Sequence, residues 1–171
     1  MESLIKLNKK KKIILGILFI CIILIVALIL FSYHDNESND EVLFRYSYES
    51  RAWDPVDFGF VIYNNGIIEE YDNIKDRELK KGKLTKKELK ELQDLSLKVK
   101  DECVFDQEYI FFDAGTIDYE IYNNKLSKWI LLKRSGSSKG INNSKESQKI
   151  LELIKELYYK YIDTDDNIFI Y

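Results

Sequence analysis

The sequence predicts an α+β domain behind an N-terminal transmembrane helix, and three observations lead to this fold class. Residues 13–31 are an apolar run without a single charge. Several later segments alternate apolar and polar residues around turn sequences such as Asn64-Asn65-Gly66, which favours antiparallel hairpins. Two further segments carry apolar residues at helical spacing. The predicted domain has an antiparallel sheet in the order β-β-β-α-β-β-α, with two helices packed on one face.

The apolar run has the length of a membrane-spanning helix. Nineteen residues rise about 28 Å as a helix, close to the thickness of the hydrocarbon core of a bilayer. Lys6 and Lys9–Lys12 precede the run, whereas Asp35 and Glu37 follow it. Because positive charges stay inside, the N-terminus is predicted to be cytoplasmic. A cleaved signal peptide is the alternative, but the exit Leu30-Phe31-Ser32 lacks the pair of small residues that cleavage requires.

This interpretation divides the chain into four parts. Residues 1–12 are a cytoplasmic basic tail, residues 13–31 contact the lipid bilayer, residues 32–41 are a flexible linker, and residues 42–171 form an extracytoplasmic domain. Ten linker residues span at most about 35 Å, so the domain is expected to stay near the membrane surface. The predicted location is the cell membrane, with a single pass.

The first half of the domain reads as a three-stranded meander. The strands are predicted at Val42–Tyr48, Phe58–Tyr63 and Ile67–Tyr71, with Asn64-Asn65-Gly66 as the turn between the last two. The charged stretch 72–83 is predicted to be a solvated loop.

The second half carries both helices and one hairpin. Thr85 with Glu88 predicts a capping box, and Asn143 or Ser144 is expected to cap the final helix. Extended segments are predicted at 109–113, 116–122 and 128–133, and a mobile Ser- and Gly-rich loop at 135–143. The apolar stripes of the two helices are Leu89, Leu92, Leu95 and Val99 in the first, and Ile150, Leu151, Ile154, Leu157, Tyr158 and Tyr161 in the second.

Charge and rare residues exclude several function classes. Five of the 26 Lys and Arg and one of the 29 Asp and Glu precede residue 13, which leaves a formal net charge of −7 on the rest. Such a domain is not expected to bind nucleic acid. His34 is the only histidine, so catalysis by Ser-His-Asp or Cys-His groups and multi-histidine zinc sites are excluded. Cys103 has acidic neighbours and is predicted to be a small buried residue rather than a reactive thiol. No cofactor is expected.

Three candidate sites remain. The loop with Arg51, Trp53, Asp54 and Asp57 is the candidate binding surface, because Trp and Arg dominate many interfaces; alternatively, Trp53 packs in the core. The acidic stretch with Asp163, Asp165 and Asp166 has oxygens for a calcium ion, but it lacks the glycine and final glutamate of an EF-hand loop, which favours a solvated helix end.

The third candidate is the segment Phe111-Phe112-Asp113-Ala114-Gly115-Thr116. It resembles the active-site turn of aspartic proteases, in which two such turns share a proton between their aspartates. Ala114 departs from the Thr or Ser of that family, and a single copy implies that activity would need a homodimer. The alternative is a strand-breaking turn with Gly115 at positive φ.

Four features together mark a wider resemblance: the Trp53 segment, the Asn64-Asn65-Gly66 hairpin, Asp113-Ala114-Gly115, and the cap Asn142-Asn143-Ser144 before a final helix. With these, the outer domain resembles uncharacterised small anchored or secreted proteins of low-GC Gram-positive bacteria. That resemblance implies no activity. The leading hypothesis is therefore a non-enzymatic accessory, sensor or immunity-like protein that binds a membrane-proximal protein or ligand. The alternative is a carboxylate-dependent hydrolase that uses Asp113.

Overall fold

The computed structural model of the chain describes residues 22–23, 41–51, 54–76, 78–110 and 115–162, with residues 107–110 described by their backbone alone. The chain divides into two units, Met1–Asn39 and Asp40–Tyr171. Ile22 and Ile23, both helical, are the described residues of the first unit.

The second unit is an α+β fold that consists mostly of sheet. An eight-stranded antiparallel sheet has the strand order β4-β3-β2-β1-β6-β7-β8-β5. The two helices are α1 (Lys86–Ser96) and α2 (Lys145–Tyr161). The strands are β1 (Val42–Ser50), β2 (Val56–Tyr63), β3 (Ile67–Asp72), β4 (Lys81–Lys83), β5 (Cys103–Ile110), β6 (Thr116–Asn123), β7 (Lys128–Gly136) and β8 (Ser138–Asn142).

Strand β1 lies at the centre of the sheet and pairs with β2 on one side and β6 on the other. Side chains alternate between the two faces of a strand, so Phe44 and Tyr46 point to the face that carries the helices, and both are buried. The register shifts between Val42 and Phe44. This irregularity places Leu43 in the core beside Phe44.

Both helices contribute to one hydrophobic core on the same face of the sheet. Helix α1 buries Leu92, and α2 buries Ile150, Ile154 and Tyr158. The ring of Tyr158 lies 4.8 Å from that of Phe60 in β2. The predicted caps are present: Thr85 and Glu88 form a capping box, and the Ser144 hydroxyl accepts a hydrogen bond from the Ser147 amide.

The prediction of a five-stranded sheet is wrong, because the described residues form eight strands. Strand β8 runs through the predicted mobile loop 135–143, β4 lies within the predicted loop 72–83, and β5 begins at Cys103 rather than at residue 109. The physical reason is that these strands are held by backbone pairing, which polar sequences can make without an apolar pattern. At Gly140 the absence of a side chain also allows Phe105 of β5 to lie across β8.

The predicted N-terminal transmembrane helix is also not seen. In the part of the chain that the structure describes, no helix is long and apolar enough to cross a membrane. Of the predicted segment 13–31, only Ile22 and Ile23 are among those residues. That helix was predicted from hydropathy, length and flanking charges, and the fold that the structure describes begins after residue 40.

One carboxylate joins the start of α1 to the end of α2. Glu88 accepts hydrogen bonds from the Thr85 amide (2.8 Å), the Tyr161 hydroxyl (2.8 Å) and Lys160 Nζ (2.7 Å). Partial burial raises the pKa of Glu88, but the hydrogen bonds from Lys160, Thr85 and Tyr161 outweigh it and lower the pKa to about 2 from an ordinary 4.5. The ionised carboxylate therefore stabilises the packing of the two helices.

This carboxylate predicts a pH dependence of stability. A depressed folded-state pKa contributes stability that is complete above about pH 4.5 and is lost as the pH falls toward 2. We expect Glu88→Gln to lower the free energy of unfolding at pH 7 and to flatten its decline between those two pH values, measured by urea unfolding. Glu91→Gln, an exposed change on the same helix, is the control. Parallel pH curves for the natural chain and Glu88→Gln would contradict the assignment.

The orientation of α1 predicts the cost of truncating its leucines. Leu92 is fully buried, whereas Leu97 is 43% exposed just beyond the helix. We expect Leu92→Ala to lower the free energy of unfolding by about 2–5 kcal/mol, because it leaves a cavity, and Leu97→Ala to change it by less than about 1 kcal/mol. Chemical denaturation of both variants measures this difference. Equal losses would mean that α1 does not present Leu92 to the sheet.

Candidate functional site

The face of the sheet opposite the helices carries the strongest candidate site, and we call it the open face. Within the described residues both helices belong to the core on the other side. The open face is mixed in chemistry, with aromatic rings, guanidinium groups and carboxylates on adjacent strands. Its residues, from the strand registers, are Arg45, Ser47, Asp57, Gly59, Val61, Glu69, Tyr71, Asp118, Glu120, Tyr122, Trp129, Leu131 and Arg134.

At one end of the open face lies a cluster of Arg45, Glu120, Tyr122 and Trp129, which we call the arginine–tryptophan cluster. Arg45 Nε and Nη2 donate to Glu120 Oε2 at 2.9 and 2.6 Å. The guanidinium carbon of Arg45 lies 4.7 Å from the centre of the Trp129 ring, a cation–π distance. The Tyr122 ring meets that of Trp129 edge to face at 5.5 Å. The ion pair thus holds the cation over the indole.

A second arginine is fixed two strands further along the sheet. Arg134 donates to Asp118 through Nε (2.6 Å) and Nη2 (2.5 Å), one bond to each carboxylate oxygen. This bidentate pair fixes the plane of the guanidinium, and the hydrogen bonds that Arg134 donates to Asp118 raise the pKa of Arg134. The guanidinium carbon lies 5.8 Å from the ring centre of Phe105. An arginine, a carboxylate and an aromatic ring therefore lie together here, as they do in the arginine–tryptophan cluster.

Between Tyr71 and the two ion pairs the sheet surface is flattened by Gly59. A side chain at Gly59 would place its Cβ 2.0 Å from the Tyr46 carbonyl and 2.8 Å from the Tyr71 hydroxyl. Glycine therefore leaves room for Tyr71 to lie across β2. Burial, and then the charge of Asp57, raise the pKa of Tyr71 to about 12, against the opposing effect of Arg45. The phenol stays protonated and remains a hydrogen-bond donor.

The predicted binding loop adjoins the open face but does not form its centre. Asp57 of β2 lies opposite Glu49 of β1 in the sheet register. Its carboxylate accepts a hydrogen bond from Asn73 Nδ2 at 2.9 Å. Arg51 is exposed and donates to Glu49 Oε1 at 2.8 Å. Asp54 is exposed, and Trp53 lies outside the described residues. The structure therefore places Arg51 and Asp57 at one edge of the face.

The other candidate residues fall beyond what the structure describes. Asp113, Asp163, Asp165 and Asp166 all lie outside the described residues. Gly115 has φ of +70°, so the positive φ expected of a turn at this point is confirmed. Among the described residues, no group of three or more His, Cys, Asp and Glu side chains is placed to hold a metal ion.

Cys103 lies at the start of the edge strand β5 and is half-buried. Burial raises the pKa of its thiol, and nearby Asp101 and Asp118 raise it further, against an opposing effect of Arg134. The thiol is therefore protonated at neutral pH, which does not favour nucleophilic chemistry.

A groove between α1 and α2 is a further candidate surface among the described residues. Four lysines and four acidic residues line it around Leu95 and Leu153. The equal numbers of opposite charges point to a solvated helix surface rather than to a site for one kind of ligand. The open face has the more distinctive chemistry.

The open face was missed in the sequence because the strand pattern was used only to find the core. Phe44 and Tyr46 indicate the buried face of β1, and Arg45 between them belongs to the opposite face. An arginine between two buried aromatic residues of a central strand is the signal that the opposite face carries charge. Trp129 carried a similar signal in β7, where its neighbour Ile130 is buried.

Comparison with known proteins adds no relative. No protein-family model matches the sequence, and neither curated proteins nor solved structures show a match to it.

The two kinds of ion pair on this side of the sheet predict different responses to conservative substitution. Arg134→Lys keeps the charge but loses the bidentate geometry, so we expect it to lower the free energy of unfolding by about 1 kcal/mol. Arg51→Lys alters a pair whose arginine side chain is 89% exposed, and we expect a change within about 0.5 kcal/mol. Urea unfolding of both variants makes the comparison. Equal effects would mean that the Asp118–Arg134 pair is not held rigidly.

Proposed function

We propose that the second unit is a non-enzymatic binding domain that recognises a protein partner through the open face. The single observation that carries this proposal is the arginine–tryptophan cluster. Its Trp, Tyr and Arg are the residue types that most often dominate the binding energy of protein interfaces. They lie next to each other on a sheet face that neither helix covers within the described residues.

Preorganisation supports a binding role. Arg45 is held by Glu120 and Arg134 by Asp118, so few side-chain rotations remain to be lost when a partner docks. Both arginines stand on central strands with backbone pairing on each side. Binding surfaces on rigid elements lose less entropy on association than surfaces on loops.

The charges of the open face favour a protein over a nucleic acid. Each of the two central guanidinium groups already faces a carboxylate, so neither is left to neutralise a phosphate. The net charge of −7 after residue 12 also disfavours binding to a nucleic acid. The hydrolase alternative rests on Asp113, which lies outside the described residues, and no described contact favours it.

A site-specific crosslinking experiment tests the proposal in cells of the native host. A photoreactive phenylalanine analogue replaces Tyr122 on the open face in the full chain. The matched control carries the same analogue at Lys87, on the exposed side of α1. We expect one dominant protein adduct from position 122, and we expect that adduct to be absent when the analogue is at position 87.

Substitution of Trp129 then measures the contribution of the cluster. With the identified partner purified, we expect Trp129→Ala to raise the dissociation constant about thirtyfold or more. This is the size of effect expected when a hot-spot residue is lost. Arg45→Gln should weaken it too, and Leu126→Ala, an exposed apolar residue in the β6–β7 turn, should not. Unaltered melting temperatures separate lost binding from lost folding. Adducts that form equally at positions 122 and 87 would reject the open face as the binding surface.

The cellular location is predicted from the sequence alone. Placement at the cell membrane, and of the partner close to it, stays a prediction, because almost all of residues 1–40 are outside the described part of the chain.

A further inference from the structure

We propose that a patch on the helix side of the sheet binds a segment of a partner protein that carries a carboxylate beside apolar side chains. The patch consists of Lys133 of β7, Ile141 of β8 and Val104 of β5, and we call it the Lys133 patch. Lys133 lies opposite Ile141, and Ile141 lies opposite Val104, in the strand registers. Because directly opposite residues point to the same face of a sheet, the three side chains form one row.

The row starts where the hydrophobic core ends. Lys133 also lies opposite Tyr119, which is buried in the core, and Lys133 Nζ is 5.8 Å from the centre of the Tyr119 ring. Beyond Lys133 the apolar side chains are open to solvent, since Ile141 is 43% and Val104 62% exposed. The patch therefore combines a cation with two adjacent apolar side chains that neither strand partner covers.

The ammonium group of Lys133 has no anionic partner among the described residues. Its contact is with the Tyr119 ring, and no oxygen atom accepts a hydrogen bond from it. Burial, and then the charge of Lys139, lower the pKa of Lys133. A half-buried cation next to a second cation costs free energy unless an anion compensates it.

Neighbouring carboxylates do not supply that anion. Lys139 lies opposite Asp106 on the same face of the sheet, and each of these two residues has an interaction of its own. Asp118, on the strand next to β7, points to the open face and accepts hydrogen bonds from Arg134 through both oxygens. The described part of the chain therefore leaves the charge of Lys133 uncompensated.

Charge complementarity indicates the chemistry of the occupant. A carboxylate within reach of Lys133 Nζ gains a charge-assisted hydrogen bond at a half-buried position, where such a bond is stronger than in open water. Apolar side chains next to that carboxylate would cover Ile141 and Val104. An open row along three strands suits a protein segment better than a small ligand, which prefers an enclosed pocket.

The same charge disfavours a second copy of this chain. Two copies that dock patch to patch would bring their Lys133 side chains together, and like charges at short distance destabilise such a pair. The patch also lies on the face opposite the open face. Crosslinking at Tyr122 and a binding test at Lys133 can therefore fail independently.

A substitution in the free chain tests whether Lys133 is uncompensated. Lys133→Met keeps an unbranched apolar stem and removes the charge. Because the unpaired charge opposes folding, we expect this change to shift the midpoint of urea unfolding upward. Lys125→Met, in the exposed turn between β6 and β7, is the matched control and should leave the midpoint unchanged.

A peptide probe then tests binding to the full chain. The probe is a synthetic heptapeptide of alternating Leu and Glu, and its alternating Leu and Gln counterpart is the uncharged control of the same shape. Amide chemical shifts resolved by residue locate the bound peptide, and the titration gives its dissociation constant.

We expect the Leu-Glu peptide to shift the amide signals of Lys133 and Ile141, and to bind more weakly as salt rises. Lys133→Met should weaken its binding about tenfold, the effect of losing one charge-assisted hydrogen bond, and bring it to the level of the Leu-Gln peptide. Lys125→Met should bind the Leu-Glu peptide as the natural chain does.

Three outcomes would overturn the proposal. A lower urea midpoint for Lys133→Met would mean that the ammonium is already compensated within the chain. Equal binding of the two peptides to the natural chain would reject the carboxylate. Absence of shifts at Lys133 and Ile141 on adding the Leu-Glu peptide would reject the patch as its site.

Discussion

The antiparallel pairing of β1 with β6 is the constraint on which the rest of the domain depends. It joins strands more than sixty residues apart and links the β4-β3-β2-β1 half of the sheet to the β6-β7-β8-β5 half. Its register also sorts the side chains. Tyr46 opposite Tyr119 contributes to the core, and Arg45 opposite Glu120 forms an ion pair on the open face. A shift of one residue would exchange these faces and expose the core.

This register explains how one short strand can serve stability and recognition together. The rings of Phe44 and Tyr46 pack against Phe60, and the helices close the core above them. The backbone of Arg45 is fixed between these two buried residues, and Glu120 holds its guanidinium. The burial that stabilises the fold therefore also positions the arginine–tryptophan cluster on the opposite face.

Local signals predicted the parts of the fold that local chemistry determines. The Asn64-Asn65-Gly66 turn, the Thr85–Glu88 capping box and the apolar stripes of both helices depend on neighbouring residues, and each is present. Strands β4 and β8 were missed because backbone pairing with β3 and β7, rather than an apolar pattern, creates them, and β8 contains Ser, Lys and Gly. The open face was missed for a related reason, since Arg45 and Trp129 lie more than eighty residues apart and only the strand order brings them together.

Residue-level hydroxyl-radical footprinting tests the assignment of the two faces most directly. In the free chain we expect Trp129, Tyr122 and Tyr71 to be oxidised faster than the buried Tyr46, Tyr119 and Tyr158. With the partner bound, oxidation of the first group should fall while that of the second stays low. Equal rates for the two groups in the free chain, or partner binding that leaves Trp129 and Tyr122 unprotected, would contradict the account.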